Sequence, residues 1–336
     1  MPITFATPDT IKQPSGGLII DKPLEQDHVL GATETVIEWE KLVPDGHWRD
    51  FQPVSERQSS KYGNTFGCVG FSLNNIHEFI HRKRYNEEIN KSDRFTVVGS
   101  GTIPGRGNTK RTVAEWSRKN GWVEEWRWPF NVDMTIEGYY NNRIIPPELV
   151  VLGLQKLRYT ESGYQWLPDN SPKSLLNGLS FSPVQVDVEP YTFNSRNYVI
   201  NTGQGYTHEV TVFDYEPDLC WWVYDSERDQ YVKLDWKYNF GGPMIHYFKK
   251  KAMTIKLYKK IGEPAIYIKH WSLNLLIPFM SGYLAGGDLF KSLYNVEKYS
   301  DLEREDVEVL PFPVAPYGIT TSGLGFVGAN EDGLIE

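Results

Sequence analysis

The chain has 336 residues, room for one large domain or two modest ones at ~100–200 residues each. Its 40% apolar, 14% aromatic and 23% charged content is that of a folded globular protein and excludes a mainly disordered or collagen-like chain. Lys and Arg number 35 against 43 Asp and Glu, a net charge of -8 with no basic block long enough to follow a phosphate backbone, so nucleic acid is not an expected partner.

The first ten residues lack a basic segment followed by an apolar run, so no secretory signal and a cytoplasmic location are expected. Only two cysteines occur, Cys68 and Cys220, which excludes a disulfide scaffold and suits a reducing compartment. Residues 1–46, with Pro2, Pro8, Pro14, Pro23 and Pro44 and the pair Gly16-Gly17, read as an extended arm laid on a body and adding little core. From Asn64 onward Cys68, Val69, Phe71, Leu73, Ile76, Phe79 and Ile80 recur at intervals of three and four. That spacing predicts a helix from about Cys68 to Arg84, with the basic His81-Arg-Lys-Arg84 at its solvated end. A strand is expected over Arg94–Val98, and a second helix over Thr112–Asn120 stopping at Gly121.

After about residue 147 the pattern turns to strands: Leu149–Leu157, Val184–Val188, His208–Tyr215, Cys220–Asp225, Gln230–Trp236, Ile245–Phe248 and Met253–Tyr258. Helices first and antiparallel strands later predict an α+β fold. Beyond Ile266 periodicity is lost. The apolar run Trp271–Gly287 is broken by Asn274 and Pro278 and falls short of the ~20 residues that cross a bilayer, so no membrane partner is expected. The Gly-rich, acidic stretch Gly318–Glu336 reads as an appendage with a mobile tip.

Cys68 stands where the loop Gln58–Gly67 passes into the first helix, so its sulfur would lie near that helix's free N–H groups, which favour thiolate. A nucleophilic cysteine needs an imidazole delivered from elsewhere. His208 begins an alternating strand and Asp225 ends the next one, so neighbouring strands could present both, the carboxylate fixing the ring's orientation. Against this stand a buried structural thiol, a strand histidine and a turn aspartate, the ordinary fates of these residue types. A rival pattern is His77-Glu-Phe-Ile-His81, in which histidines one turn apart bind zinc and the glutamate activates water. The apolar arc centres on Ile76 and Ile80, which puts both histidines on a partly solvated edge and Glu78 opposite; Glu115 is the only third ligand in view, and no metal is expected. Gly99-Ser-Gly101 with Gly105 misses the spacing of a dinucleotide loop, and no cofactor is expected. Trp122, Trp126, Trp128 and Phe130 could line a cleft or pack inside the body.

Taken in order, several segments resemble the papain-like cysteine peptidases over roughly His47 to Lys250. His47-Trp-Arg-Asp50 is similar to the start of the mature domain, Gln58 to the glutamine that donates to the oxyanion, and Gly67-Cys-Val-Gly-Phe-Ser72 to the nucleophile and its helix. Thr112–Val123 with Trp128-Pro-Phe130 resembles the second helix and the turn after it, while Pro183–Val188, His208–Val212 and Trp222–Ser226 resemble the strands that bear the histidine and the third residue. The 140 positions from Cys68 to His208 lie inside the ~130–150 of that family. Val69 stands where the family has tryptophan, and the structural disulfides have no counterparts. The pattern is closer to divergent members from bacteriophages and uncultured bacteria, which would allow a virion-associated location.

The resemblance implies a two-lobed fold, a helical lobe at 47–145 and an antiparallel barrel-like lobe at 146–265; the arm at 1–46 and the C-terminal extension at 266–336 are not explained by it. It implies peptide or protein substrates cleaved through Cys68, His208 and Asp225. Gln58 would serve the oxyanion, and Gly107, Asn108 and Val186 would bind substrate. A fold kept for binding or virion assembly is the non-catalytic alternative.

Overall fold

Gly67 caps helix α1 (Cys68–Tyr85), which runs until Asn86 turns left-handed at φ 50°. The helix is buried all round from Cys68 to His81, with no solvated edge over that stretch. It feeds three apolar clusters at once: Ile76, Phe79 and Ile80 enter the main core, Phe71 a second cluster, and Cys68, Val69 and Leu73 a third. A helix enclosed on every side is a central helix, and the half-exposed Arg82, Lys83, Arg84 and Tyr85 form its open end.

The computed structural model describes residues 3–24, 27, 29–30 and 39–251, and beyond them only three strands. The chain divides into two units, residues 1–250 and 251–336. In the first, α1 is followed by α2 (Asp93–Gly99), α3 (Lys110–Asn120), α4 (Ile136–Tyr140), α5 (Pro147–Lys156), β1 (Thr160–Trp166) and α6 (Pro172–Leu179). Then come β2 (Val184–Val188), β3 (Thr192–Phe193), β4 (Val199–Ile200), β5 (His208–Glu216), β6 (Cys220–Asp225), β7 (Gln230–Asp235) and β8 (Gly241–Lys250). These eight strands form one sheet in the order β1-β8-β2-β5-β6-β7-β4-β3. All pairs are antiparallel except β4 with β7. The end strands β1 and β3 do not pair with each other, so the sheet is open and the expected barrel is not formed. The α+β class holds.

Two expected strands are helices. In α2 the Ser92 hydroxyl accepts from Phe95 N–H and Asp93 occupies the first turn, and this capping outweighs the β-branched Thr96-Val97-Val98. In α5 Pro147 sits at the first position and Glu148 in the first turn; Leu149 and Gly153 face inward while Val151 and Leu154 stay exposed. The run is apolar, yet only its four-residue stripe is covered. Gly153 is pressed against the Asn120 carbonyl and Phe95, where a Cβ has no room. Helix α3 ends at Gly121, φ 72°, as its sequence predicts.

The arm is extended and touches the body through three isolated parallel bridges, Phe5 with Tyr231, Leu18 with Asn108 and Val29 with Trp166. It adds more apolar packing than its composition predicts: Val43 belongs to the main core, and Ile3, Ile11, Leu30, Trp39 and Leu42 pack against it. Trp48 is fully buried, its indole donating to the Leu179 carbonyl at 2.7 Å.

In the second unit β9 (Leu257–Lys260) is flanked by β10 (Ile266–Ile268) and β11 (Leu302–Glu305), both antiparallel. Residues 253–256 of the expected Met253–Tyr258 strand, the apolar run at 271–287 and the stretch from 318 lie outside the described residues. Among the described residues no helix is long and apolar enough to cross a membrane.

Candidate active site

Cys68 is the first residue of α1. Two hydrogen bonds hold that end of the helix to the sheet: Gln185 Nε2 of β2 donates to the Val69 carbonyl at 3.1 Å, and Ser72 Oγ meets Thr211 Oγ1 of β5 at 2.8 Å. Strands β5 and β6 pair antiparallel with Thr211 opposite Tyr224. His208 at the start of one and Asp225 at the end of the other therefore fall at the same edge, 2.8 Å apart from Nε2 to Oδ1. Asp225 also accepts from Tyr191 Oη, Gln230 Nε2 and the Glu227 N–H, each at 3.0 Å.

The Cys68 sulfur is also a polar neighbour of the His208 ring, and the other ring nitrogen, Nδ1, has Glu227 Oε2 3.7 Å away. It makes no hydrogen bond of ordinary geometry to a described atom. Cys68, His208 and Asp225 are all fully buried. Burial would push the imidazole down, but the Asp225 carboxylate and then the Cys68 sulfur outweigh it and hold His208 well above its usual range. Burial likewise pushes Asp225 up, and the His208 cation more than reverses it. The two form a charged pair.

What covers the sulfur is the arm. A Cβ on Gly17 would lie 3.0 Å from Cys68 Sγ and from the Phe66 carbonyl, and Gly17 holds φ 125°, a conformation that L side chains avoid. The strap is tied on both sides. Asn108 N–H donates to the Gly17 carbonyl at 3.2 Å, Ile19 N–H to the Asn108 carbonyl at 2.8 Å, and Leu18 N–H to the Thr207 carbonyl at 3.3 Å. A Cβ at Gly107 would collide with the Gly17 carbonyl, so Gly107 is what lets the strap pass. Upstream, the N–H of Ser15 donates to Glu227 at 2.9 and 3.1 Å, and its hydroxyl donates to the same carboxylate. Downstream, Asp21 accepts from the Arg111 N–H at 3.0 Å.

Gln58 is buried beside the site, but its amide donates to Asn64 Oδ1 at 2.8 Å. It is Asn64 whose amide reaches the strap, at 2.9 Å to Ser15 Oγ and 3.2 Å to the Gly16 carbonyl. Gly107 and Asn108 meet the strap backbone. Val186 does not: it is built into the main core, and the β2 residue that reaches the start of α3 is Asp187, ion-paired with the buried Lys110. Glu209, also fully buried, lies 3.9 Å from Lys110 Nζ, and burial pushes its carboxyl well above the usual range. Asn64, Glu227, Lys110 and Glu209 were not legible as site residues.

The zinc-like pattern is occupied otherwise. His77 Nδ1 lies 2.7 Å from Lys91 Nζ, His81 Nδ1 is 3.1 Å from the Glu87 carbonyl, and Glu78 accepts from the Lys91 N–H at 2.7 Å. Contrary to the expected solvated edge, all three are buried, and burial lowers His77 well below its usual range and His81 to about 4. Among the described residues no three His, Cys, Asp or Glu side chains gather around a point that a metal ion could occupy. Of the aromatic run, Trp122 and Trp128 are buried, Phe130 packs on the second cluster, and Trp126 is 69% exposed.

Solved structures similar to this chain are proteases and a protease precursor. Bromelain from Ananas comosus in complex with E64 matches at 16% identity and TM-score 0.42, covering 60% of this chain and 96% of that one. A recombinant stem bromelain precursor matches at 16% and 0.45, covering 66% and 77%. Digestive procathepsin L2 from the larval midgut of Tenebrio molitor matches at 17% and 0.46, covering 69% and 77%. No protein-family model and no curated protein matches the chain.

Proposed function

We propose that this chain is a papain-like cysteine peptidase acting through Cys68, His208 and Asp225. The observation that carries the reading is the charged His208–Asp225 pair set against a cysteine at a helix start, with a length of peptide backbone bound across the sulfur. An imidazolium next to a thiol favours the thiolate, the form that attacks. With the strap displaced, a substrate peptide takes its place along Asn108 and Thr207. The sulfur of Cys68 bonds to the substrate carbonyl carbon, the C–N bond breaks, and His208 gives its proton to the leaving amine. Water then bonds to the acyl carbon as the S–C bond breaks, and its proton passes to His208. Asp225 stays ionised throughout and holds the ring.

Incubation with iodoacetamide or an epoxide inhibitor is expected to abolish peptide hydrolysis. Cys68→Ala is expected to lose at least ~10³-fold in kcat, while a chelator leaves the rate unchanged. Hydrolysis that survives Cys68→Ala, or no cleavage of any peptide once the strap is lifted, rejects the reading in favour of a binding module.

A further inference from the structure

We infer that Asn64 is the side-chain donor to the oxyanion, with Gln58 as the residue that positions it; this rests on the peptidase reading. Acyl transfer places negative charge on the carbonyl oxygen, and a preorganised donor must lie where that oxygen develops. The strap residue whose Cβ would reach Cys68 Sγ is Gly17, and the side-chain amide on the carbonyl of the residue before it, Gly16, is Asn64 Nδ2, 3.2 Å away. Gln58 is already committed, its amide donating to Asn64 Oδ1 at 2.8 Å.

The orientation of the Asn64 amide is fixed by its neighbours. Oδ1 also accepts from the Phe66 backbone N–H at 2.7 Å, a group that can only donate. The oxygen is therefore identified, and the NH₂ must face the strap. Asn64 has a second duty in that turn: Phe66 stands at φ 57°, uncommon for a bulky residue, and the Asn64 oxygen holds it just before the helix that begins at Cys68. The two duties use different atoms of one side chain. Asn64→Asp keeps the oxygen acceptor of the turn and removes the donor, so it separates them.

Full-length chains carrying Gly17→Val, which lifts the strap, are compared with the same chain carrying in addition Asn64→Asp, Asn64→Ala or Gln58→Ala. Three readouts apply: hydrolysis of a casein peptide mixture, affinity for a leucyl-leucyl peptide aldehyde, and the rate of Cys68 alkylation by iodoacetamide. The aldehyde forms a tetrahedral adduct that needs the donor, whereas alkylation needs only the thiolate. Asn64→Asp is expected to lose roughly 10²–10³-fold in kcat, the cost of one oxyanion donor, with KM little changed. The aldehyde should bind weaker by a similar factor, with the alkylation rate unaltered. Gln58→Ala should move kcat and aldehyde affinity the same way by a smaller factor. Equal kcat and aldehyde affinity in the parent and the Asn64 variants overturn the assignment, and so does a matching fall in alkylation, which would make Asn64 a turn residue only. A Gly17→Val parent that alkylates but hydrolyses nothing overturns the peptidase reading itself.

Discussion

Asp225 accepts four hydrogen bonds in a fully buried position, and one of them comes from His208. The cation on His208 depends on that charge. Because its folded value lies well above the ordinary ~6.5, the imidazolium contributes stability fully below about pH 6.5, and the contribution is lost as pH rises through the raised value. Asp225, lowered on folding, contributes above its ordinary ~3.9 and loses that contribution as pH falls through the depressed value. At neutral pH both are in place. Asp225→Asn keeps the shape and an acceptor but removes the charge, so the alkaline limb of the kcat/KM profile should move toward acid by ~1 unit or more. An unmoved limb would mean that Asp225 is a spectator. That Cys68 opens a helix and that His208 and Asp225 stand at neighbouring strand ends was legible, because each of these positions is a local signal. Asn64 and Glu227 were not, since each is defined by a strap residue far off in sequence, 48 positions in one case and 212 in the other.

At the scale of elements, the sequence was easiest to read where one face of a segment meets one partner. Strands β2, β5 and β6 and helix α3 fall close to their expected places. Helix α1 was found by its spacing, but not its burial on every side, because a wheel shows which face is apolar and not how many partners surround it. Segments α2 and α5 were mistaken for strands since β-branched and apolar composition spoke louder than Ser92 and Pro147, the capping and first-turn residues that decide them. Strand β1, Thr160–Trp166, has almost no apolar alternation and was missed. The strap is the element whose role is most open to measurement. Gly17→Val introduces a Cβ at 3.0 Å from the sulfur and at a φ of 125°, an overlap and strain of ~1–3 kcal/mol. Alkylation of Cys68 in the full chain should therefore accelerate by roughly 5–100-fold, read by mass spectrometry of the labelled peptide. An unchanged rate would show that the strap does not guard the site.

For the molecule as a whole, a second group of buried charges sets the response to pH. Glu56, Glu78, Asp93 and Glu125 meet around Asn90–Asp93, and burial pushes all four carboxyls up, with repulsion from the others adding to it at Glu78, Asp93 and Glu125, the last raised to about 8. A carboxyl raised from 4.5 on folding contributes stability that is complete below 4.5 and is lost as pH climbs to about 8. Lys91, lowered to about 7 by burial, works in the opposite sense only above pH 7. The melting temperature should therefore be higher at pH 5 than at pH 8, and Glu125→Gln should remove on the order of 2–4 kcal/mol of that difference. Equal slopes in the two chains, measured by calorimetry, would contradict the assignment. The roof that Gly17 lays over Cys68 has one more implication. Peroxide attacks exposed thiolates, and the other cysteine, Cys220, is buried with its thiol pushed up to about 11. A chain with its strap closed therefore offers oxidants no exposed thiol, so storage in that form would preserve the proposed nucleophile, which becomes perishable once the strap is lifted.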